Sequence, residues 1–224
     1  DLFHAAILGD AEHVLKALKN DPSIVALRDE NGWSVADYAF RSGLGKDDPK
    51  AAEALRAIAL ELIEAGADTT GALDQAVYKN DFPLVEILLA KGARIQDGDT
   101  LNHAACDGSF AALDLVAKAG VDLNLTAGTE HHGGYTPFGC TLTLRSLKGA
   151  QWFLDQGIDP NYVGGPNGES SLHVAVRSGA AVPLIQLLLD RGADPSVRDG
   201  SGMTPLQAAE AKGNKKVVDF LKGI

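Results

Sequence analysis

Glu130, His131 and His132 are consecutive in the chain, and imidazoles beside a carboxylate are the raw material of a metal site or an acid–base pair. Neighbouring residues on one loop rarely converge on a single ion, and a closed site needs three or four ligands in set geometry. The run therefore reads first as loop, with a metal or small-molecule site under residues 120–136 as the alternative. Gly43, Leu44, Gly45 and Lys46 match the end of a phosphate loop. Phe40, however, stands where the first glycine belongs, and Asp47 where Ser or Thr must hold the metal. No Gly-x-Ser-x-Gly, His-Glu-x-x-His or Cys-x-x-Cys occurs, so none of the familiar nucleophile, zinc or redox constellations can be assembled. The expectation is a protein that is not an enzyme and takes no cofactor and no metal.

The elements that would position such side chains follow from a repeat. Gly192-Ala193-Asp194 recurs as Gly66-Ala67-Asp68, and more weakly as Gly92-Ala93-Arg94, Gly120-Val121-Asp122 and Gly157-Ile158-Asp159. Each copy follows a helical apolar pattern such as Leu184, Ile185, Leu187, Leu188 and Leu189, and the glycine suits the left-handed residue that ends a helix. Upstream of each lies a second short helix, clearest as Thr204-Pro205-Leu206 and Ser170-Ser171-Leu172-His173. There the hydroxyl caps the helix and proline sits at the first position, where an N–H is not needed.

These residues resemble the ankyrin repeat, whose signature runs Thr-Pro-Leu-His, a pair of small residues, a glycine, an apolar second helix and Gly-Ala-Asp. The anchor falls at Ser34, Gly71, Asp99, Thr136, Ser170 and Thr204, after a first repeat that begins within its helix, at spacings of 37, 28, 37, 34 and 34, close to the period of about 33. The resemblance covers the whole chain and implies an all-α solenoid of seven helix–turn–helix units with finger-like loops. It reads as one domain, 1–224, with repeats near 1–33, 34–70, 71–98, 99–135, 136–169, 170–203 and 204–224. A single unit cannot bury its own apolar face, so paired alanines such as Ala104-Ala105 and Ala208-Ala209 let neighbours stack closely and share a core. Leu188 is expected in that core.

Departures from the pattern mark individuality. About ten extra residues lie between Gly43 and Gly66, and Asp48-Pro49 should cap a helix lengthened to Glu64. The fingers after Gly66 and Gly92 should be stubs, whereas Gly120 to Thr136 should protrude. His173 alone occupies the signature histidine and is expected to be structural; elsewhere Asp37, Asp74, Asn102, Gly139 and Gln207 stand in its place, so its hydrogen-bond ladder should be substituted or missing. Arg145 replaces the inter-helix glycine and puts that turn in question. Cys106 and Cys140 lie one helical turn out of step in adjacent repeats, which reads against the ~7 Å Cα approach of a disulfide. Trp152, among Phe153 and Leu154, reads as core.

The 224 residues carry a formal charge of −10. Residues 1–112 hold 10 basic and 19 acidic side chains, and residues 113–224 hold 10 and 11. Phosphate-binding proteins need clustered cations, so nucleic acid is not an expected partner. No run approaches the ~18 apolar residues of a membrane span, and no membrane partner is expected. Met203 is the sole methionine, so the chain reads as processed or trimmed. The cytoplasm is the default compartment, with export or the periplasm left open.

What the resemblance implies is a concave face of finger tips and of the residues before each inter-helix glycine. Carried over slot by slot, its partner-binding residues are Glu30, Asn31, Trp33, Arg41, Tyr78, Lys79, Asp107, His132, Tyr135, Leu144, Glu169, Arg177 and Met203, with Ser42, Cys106, Thr143, Asn167 and Lys212 in the same slots. Trp33, Tyr78, Tyr135 and Arg177 are the expected anchors, because such side chains bury large rigid area and keep a polar handle. The expected function is a monomeric, non-catalytic protein-interaction module that masks or inhibits a folded partner, such as an enzyme with a basic patch, or serves as an adaptor.

Overall fold

The computed structural model describes residues 1–44, 48–69, 71–95, 98–126, 133–165 and 167–224. The chain divides into two compact units, Asp1–Gln96 and Asp97–Ile224. The first holds α1 (Leu2–Leu8), α2 (Ala11–Asn20), a 3₁₀ turn (Pro22–Ala26), α3 (Val35–Arg41), α4 (Pro49–Glu64), α5 (Ala72–Tyr78) and α6 (Phe82–Ala90). The second holds α7 (Gly98–Asp107), α8 (Phe110–Lys118), α9 (Pro137–Thr143), α10 (Leu147–Asp155), α11 (Ser171–Ser178), α12 (Val182–Asp190), α13 (Pro205–Lys212) and α14 (Lys215–Leu221). Among the described residues these make seven helix pairs, with no helix long and apolar enough to cross a membrane.

Helices of seven to ten residues are marginal alone, so caps and stacking must hold them. Ser34 and Asp37 form a reciprocal capping box on α3, as do Thr204 and Gln207 on α13. Thr136 caps α9 through the Gly139 N–H, with Pro137 in the first turn. Asp48 accepts from the Lys50 and Ala51 N–H groups and starts the 16-residue α4, the lengthened helix expected from its cap and proline. Asp99, expected as a cap, instead lies in the first turn of α7, which begins one residue earlier.

Within the first unit the leading helices α1, α3 and α5 pack in sequence, with α2 against α4 behind them. Within the second, α7, α9, α11 and α13 form one layer and α10, α12 and α14 the other. The small residues lie between leading helices: Ala6, Ala175 and Ala209 are fully buried. Leu88, Leu113, Phe153, Ile185 and Leu188 fill the space between layers. Trp152 departs from its reading as core. It is half-buried, its ring edge-on to Phe153 and tilted against Phe110, and its Nε1 donates to Asp114 at 2.8 Å. An indole N–H that needs a partner pulls the ring to the rim of the packed layer.

The inter-helix turn at Arg145 survives the missing glycine. Arg145 takes φ +59° and Asn80 φ +57°, the left-handed conformation that glycine adopts freely at Gly9, Gly179 and Gly213. The Arg145 and Ser146 N–H groups close the turn on the Leu142 and Thr141 carbonyls. The geometry is kept at the cost of backbone strain.

Candidate functional site

On the first finger, Asp29 organises the loop. Its carboxylate accepts from the backbone N–H of Asn31 (2.9 Å) and Trp33 (2.8 Å) and from the Tyr38 hydroxyl (2.7 Å). That last donation holds the Asp29 carboxyl below, and the Tyr38 phenol above, its ordinary range. Arg28 and Ser34 close the finger as an isolated antiparallel bridge. Trp33 leans on Tyr38 at 5.6 Å between centroids, Tyr38 on Phe3 at 5.5 Å, and the Arg41 guanidinium lies 5.0 Å over the Trp33 ring. Two side chains far apart in the signature, one from the finger and one from the end of α3, thus form one cation–π pair. Trp33 remains 43% exposed, with Glu30 and Asn31 exposed beside it.

The neighbouring slots divide. Tyr78 stands 60% exposed at the end of α5. Lys79, expected to reach a partner, turns its ammonium inward onto the Phe40 carbonyl and the Ser42 carbonyl (2.7 Å), ligating the end of the preceding leading helix. Burial of that ammonium pushes it below the usual lysine range. Ser42, in a surface slot by sequence, is buried and donates to the Ile7 carbonyl at 2.6 Å. Both side chains satisfy carbonyls left open where helices end.

In the second unit, Tyr135, Glu169 and Arg177 come together with Asp199. The Tyr135 hydroxyl donates to Glu169 Oε2 at 2.6 Å; Arg177 donates through Nη1 to Glu169 Oε1 at 2.7 Å and through Nη2 to Asp199 Oδ2. Glu169 and Asp199 side chains are 3% and 1% exposed, against 34% for Arg177. Glu169 and Asp199 together fix the guanidinium, and of the three side chains only the edge of Arg177 reaches solvent. Tyr135 is likewise held. Its ring fills a slot where a side chain on Gly139 would come within 3.1 Å of it and one on Gly165 within 2.5 Å, and Tyr135 bridges to Gly164 in the next finger. This explains why glycine stands at 139 in place of the signature histidine. Burial, then the Glu169 hydrogen bond, pushes the Tyr135 phenol far above its ordinary range.

Asp199 repeats the part of Asp29. It accepts from the N–H groups of Ser201 and Met203 and from the Ser201 hydroxyl. The Ser201 hydroxyl is the main cause that brings its carboxyl down to about 2, against the opposing effect of burial. The sequence held the signal for both: Asp29 and Asp199 each stand three residues before a glycine and five before the anchor. Asn167, Gly168, Arg177, Asp199, Ser201 and Met203 line an open groove of about 700 Å³.

The histidine ladder is partly substituted. His173 is buried, bonded to Ser170 at 2.8 Å and, through Nε2, to the Met203 carbonyl at 2.8 Å. In the same slot two repeats earlier, Asn102 Nδ2 donates to the Tyr135 carbonyl at 3.1 Å, the same reach to the next finger. Asp107 and Leu144 are exposed, Met203 and Thr143 half-buried. His132, with Glu130 and His131, lies outside the described residues. Among the described residues no group of three or more His, Cys, Asp or Glu side chains is placed to hold a metal.

α7, which carries the half-buried Cys106, packs against α9, which carries the buried Cys140, and neither cysteine is in a disulfide.

Residues 144–224 match the family model for ankyrin repeats (3 copies). A search of curated proteins finds the ARF GTPase-activating protein Git of Drosophila melanogaster, 42% identical over 34% of this chain and 10% of its own length. It also finds the nuclear factor NF-kappa-B p105 subunit of Gallus gallus, 26% identical over 99% of this chain and 23% of its own. The chain thus spans less than a quarter of either relative. Among solved structures, the human ASB11 ankyrin repeat domain superposes with a TM-score of 0.71 at 21% identity, covering 99% of this chain and 95% of that one. Such repeats are scaffolds for protein–protein interaction. The family match thus covers residues 144–224, and over nearly its whole length the chain has the fold of an ankyrin repeat domain.

Proposed function

We propose that this chain is a non-catalytic binding module that masks or inhibits a folded protein partner, gripping it with finger tips and the adjoining ends of the leading helices. The reading rests on the Trp33–Arg41 pair. An indole 43% exposed, packed at a tilt against Tyr38 with a guanidinium over its ring, offers a binding anchor whose ordering cost is already met, and Trp and Arg are enriched among residues that dominate interface energy. In the first unit Tyr78 extends this proposed contact, with the tip residues Glu30 and Asn31 at its rim; in the second, Asp107, Leu144, the edge of Arg177 and Met203 are the proposed contacts, and His132, proposed with them from its slot, lies outside the described residues. Tyr135 and Glu169 support the surface from within, while the exposed Lys79 ties its ammonium to the Phe40 and Ser42 carbonyls. The net −9 of residues 1–112 favours a partner with a basic patch and acts on association rate more than on affinity.

The test is a purified pair. Partners captured from the native source on the immobilised chain are identified by mass spectrometry, then titrated against wild type, Trp33→Ala and Arg41→Ala. The expected loss for Trp33→Ala is about 2 kcal/mol, roughly 30-fold in Kd, with an association rate that falls as salt rises. Variants that bind as tightly as wild type would overturn the assignment of the surface. A partner enzyme that keeps full activity when saturated would make the chain an adaptor and not an inhibitor.

A further inference from the structure

Arg41 and Arg177 stand in one slot of two repeats, each seven residues after its anchor, Ser34 or Ser170. The residue just before the anchor is Trp33 in the first repeat and Glu169 in the second. In the second unit the guanidinium is held at two corners. Nη1 donates to Glu169 Oε1 at 2.7 Å, and Nη2 donates to Asp199 Oδ2 on the following finger. Neither carboxylate has a counterpart in the slots around Arg41. Trp33 fills the place of Glu169. The finger that follows runs only five residues from Gly66 to Gly71, where twelve separate Gly192 from Thr204, so the stretch that would carry an aspartate in the place of Asp199 is missing. Asp68, the acidic residue of that stub, corresponds to Asp194 in the Gly-Ala-Asp copy and not to Asp199.

What Arg41 has instead is a ring. Its guanidinium lies 5.0 Å from the Trp33 centroid, and its side chain is exposed. Among the described residues it makes no ion pair and donates no hydrogen bond. A guanidinium carries five N–H donors in a planar fork that matches the two oxygens of a carboxylate, and a cation–π contact is made with its charge and leaves those donors to be satisfied. The Lys79 ammonium sits on the carbonyls of Phe40 and Ser42, the residues on either side of Arg41, so a second positive charge stands at the same helix end.

We infer that Arg41 is a carboxylate-binding site, which takes an aspartate or glutamate side chain from a protein partner. That side chain completes at Arg41 the pairing that Glu169 and Asp199 give Arg177 from within the chain. It reaches the fork only if the Trp33–Arg41 face is the contact surface proposed above. The surroundings narrow the partner further. Asp29 and Glu30 lie on the finger of Trp33, Asp37 lies on α3 with Arg41, and residues 1–112 sum to −9. Such a field repels an isolated anion, whereas an acidic side chain flanked by lysine or arginine brings its own compensation. The basic patch of the partner therefore has a carboxylate at its centre facing Arg41, with cations around it facing the acidic residues.

The test is a titration of the isotope-labelled full chain, followed by heteronuclear NMR, with the synthetic peptide acetyl-Lys-Glu-Lys-amide. The same peptide with Gln for Glu, and acetyl-Gly-Glu-Gly-amide, are titrated beside it. Trp33→Glu and Arg41→Gln, each shown to be folded by its own spectrum, assign the Trp33 indole N–H and the Arg41 Nε–H. The Lys-Glu-Lys peptide should shift both signals saturably and bind about 5-fold tighter than its Gln counterpart, the upper end for one exposed ion pair. It should also bind tighter than Gly-Glu-Gly. Arg41→Gln should erase the preference for Glu over Gln. Trp33→Glu puts a carboxylate where Glu169 stands in the other repeat, so its Arg41 Nε–H should stop responding to the peptides. The carboxylate site is overturned if the Gln peptide binds as well as the Glu peptide, if neither shifts the two signals, or if Arg41→Gln keeps the preference. Gly-Glu-Gly binding as tightly as Lys-Glu-Lys overturns the basic surroundings. Peptides that bind alike, together with a captured partner weakened by Trp33→Ala, sink the carboxylate site alone. A captured partner indifferent to Trp33→Ala and Arg41→Ala sinks the contact surface, and the peptides still decide whether Arg41 takes a carboxylate.

Discussion

The Tyr135 hydroxyl donates to Glu169 Oε2 across 2.6 Å, and so joins one finger to the next. Glu169 in turn receives Arg177, and Arg177 reaches Asp199, so three consecutive repeats share one chain of charge-assisted hydrogen bonds. Removing the first link leaves a buried carboxylate with one partner fewer. Tyr135→Phe should cost about 1.5–3 kcal/mol in urea-induced unfolding, the range for a hydrogen bond to a charged group. The Tyr135 phenol is pushed upward by burial, then by Glu169. Its contribution is therefore full below the unfolded tyrosine value of about 10 and is lost as pH rises from there toward the higher folded value. The gap between wild type and Tyr135→Phe should close in alkali.

Gly139 occupies the signature-histidine slot because nothing larger fits. A Cβ there would lie 2.7 Å from the Val163 carbonyl oxygen and 3.1 Å from the Tyr135 ring. Gly139→Ala gains helix propensity worth up to about 1 kcal/mol but must displace backbone, at about 1–3 kcal/mol. The expected result is a lower Tm. Gly43→Ala, with open space around its Cβ, is the control and should stay within about 0.5 kcal/mol.

Acid should expose Asp199. Its folded carboxyl is held at about 2, chiefly by the Ser201 hydroxyl, against about 3.9 in an unfolded chain. The depressed value means that its stabilisation is present above pH 4 and lost as pH falls toward 2. Asp199→Asn keeps an acceptor oxygen for the Ser201 and Met203 N–H groups but cannot ionise. A plot of Tm against pH for the variant should be flatter than that of wild type between pH 4 and 2, and lower at neutral pH, where Arg177 loses an anion.

Arg145 pays for its left-handed backbone, φ +59°. A side chain in that conformation costs about 1–2 kcal/mol, part of which glycine returns as unfolded-chain entropy. Arg145→Gly should raise stability by about 0.5–1 kcal/mol, read as a shift of the urea midpoint at unchanged slope. No change would mean that the arginine side chain compensates its own strain.

Local rules were enough to read the repeat from the residues. A capping hydroxyl or carboxylate, proline at the first turn and glycine at the left-handed end act over four or five positions, so Thr204-Pro205, Asp48-Pro49 and the Gly-Ala-Asp copies announce helix starts and stops without the fold. The same rules explain the buried alanines and Leu188, because a repeating unit that cannot close its own core must share it with the next. Which slot residues face outward was decided only in three dimensions. Trp33 and Arg41 became an exposed pair because Tyr38 lies beneath, whereas Lys79, Tyr135 and Glu169, in equally conspicuous slots, were drawn inward by carbonyls, a glycine-lined slot and a guanidinium. Side-chain direction depends on partners that can lie 30 or more residues away, as Phe40 does from Lys79 and Glu169 from Tyr135, and a buried polar atom goes wherever stacking leaves a donor or acceptor unmet.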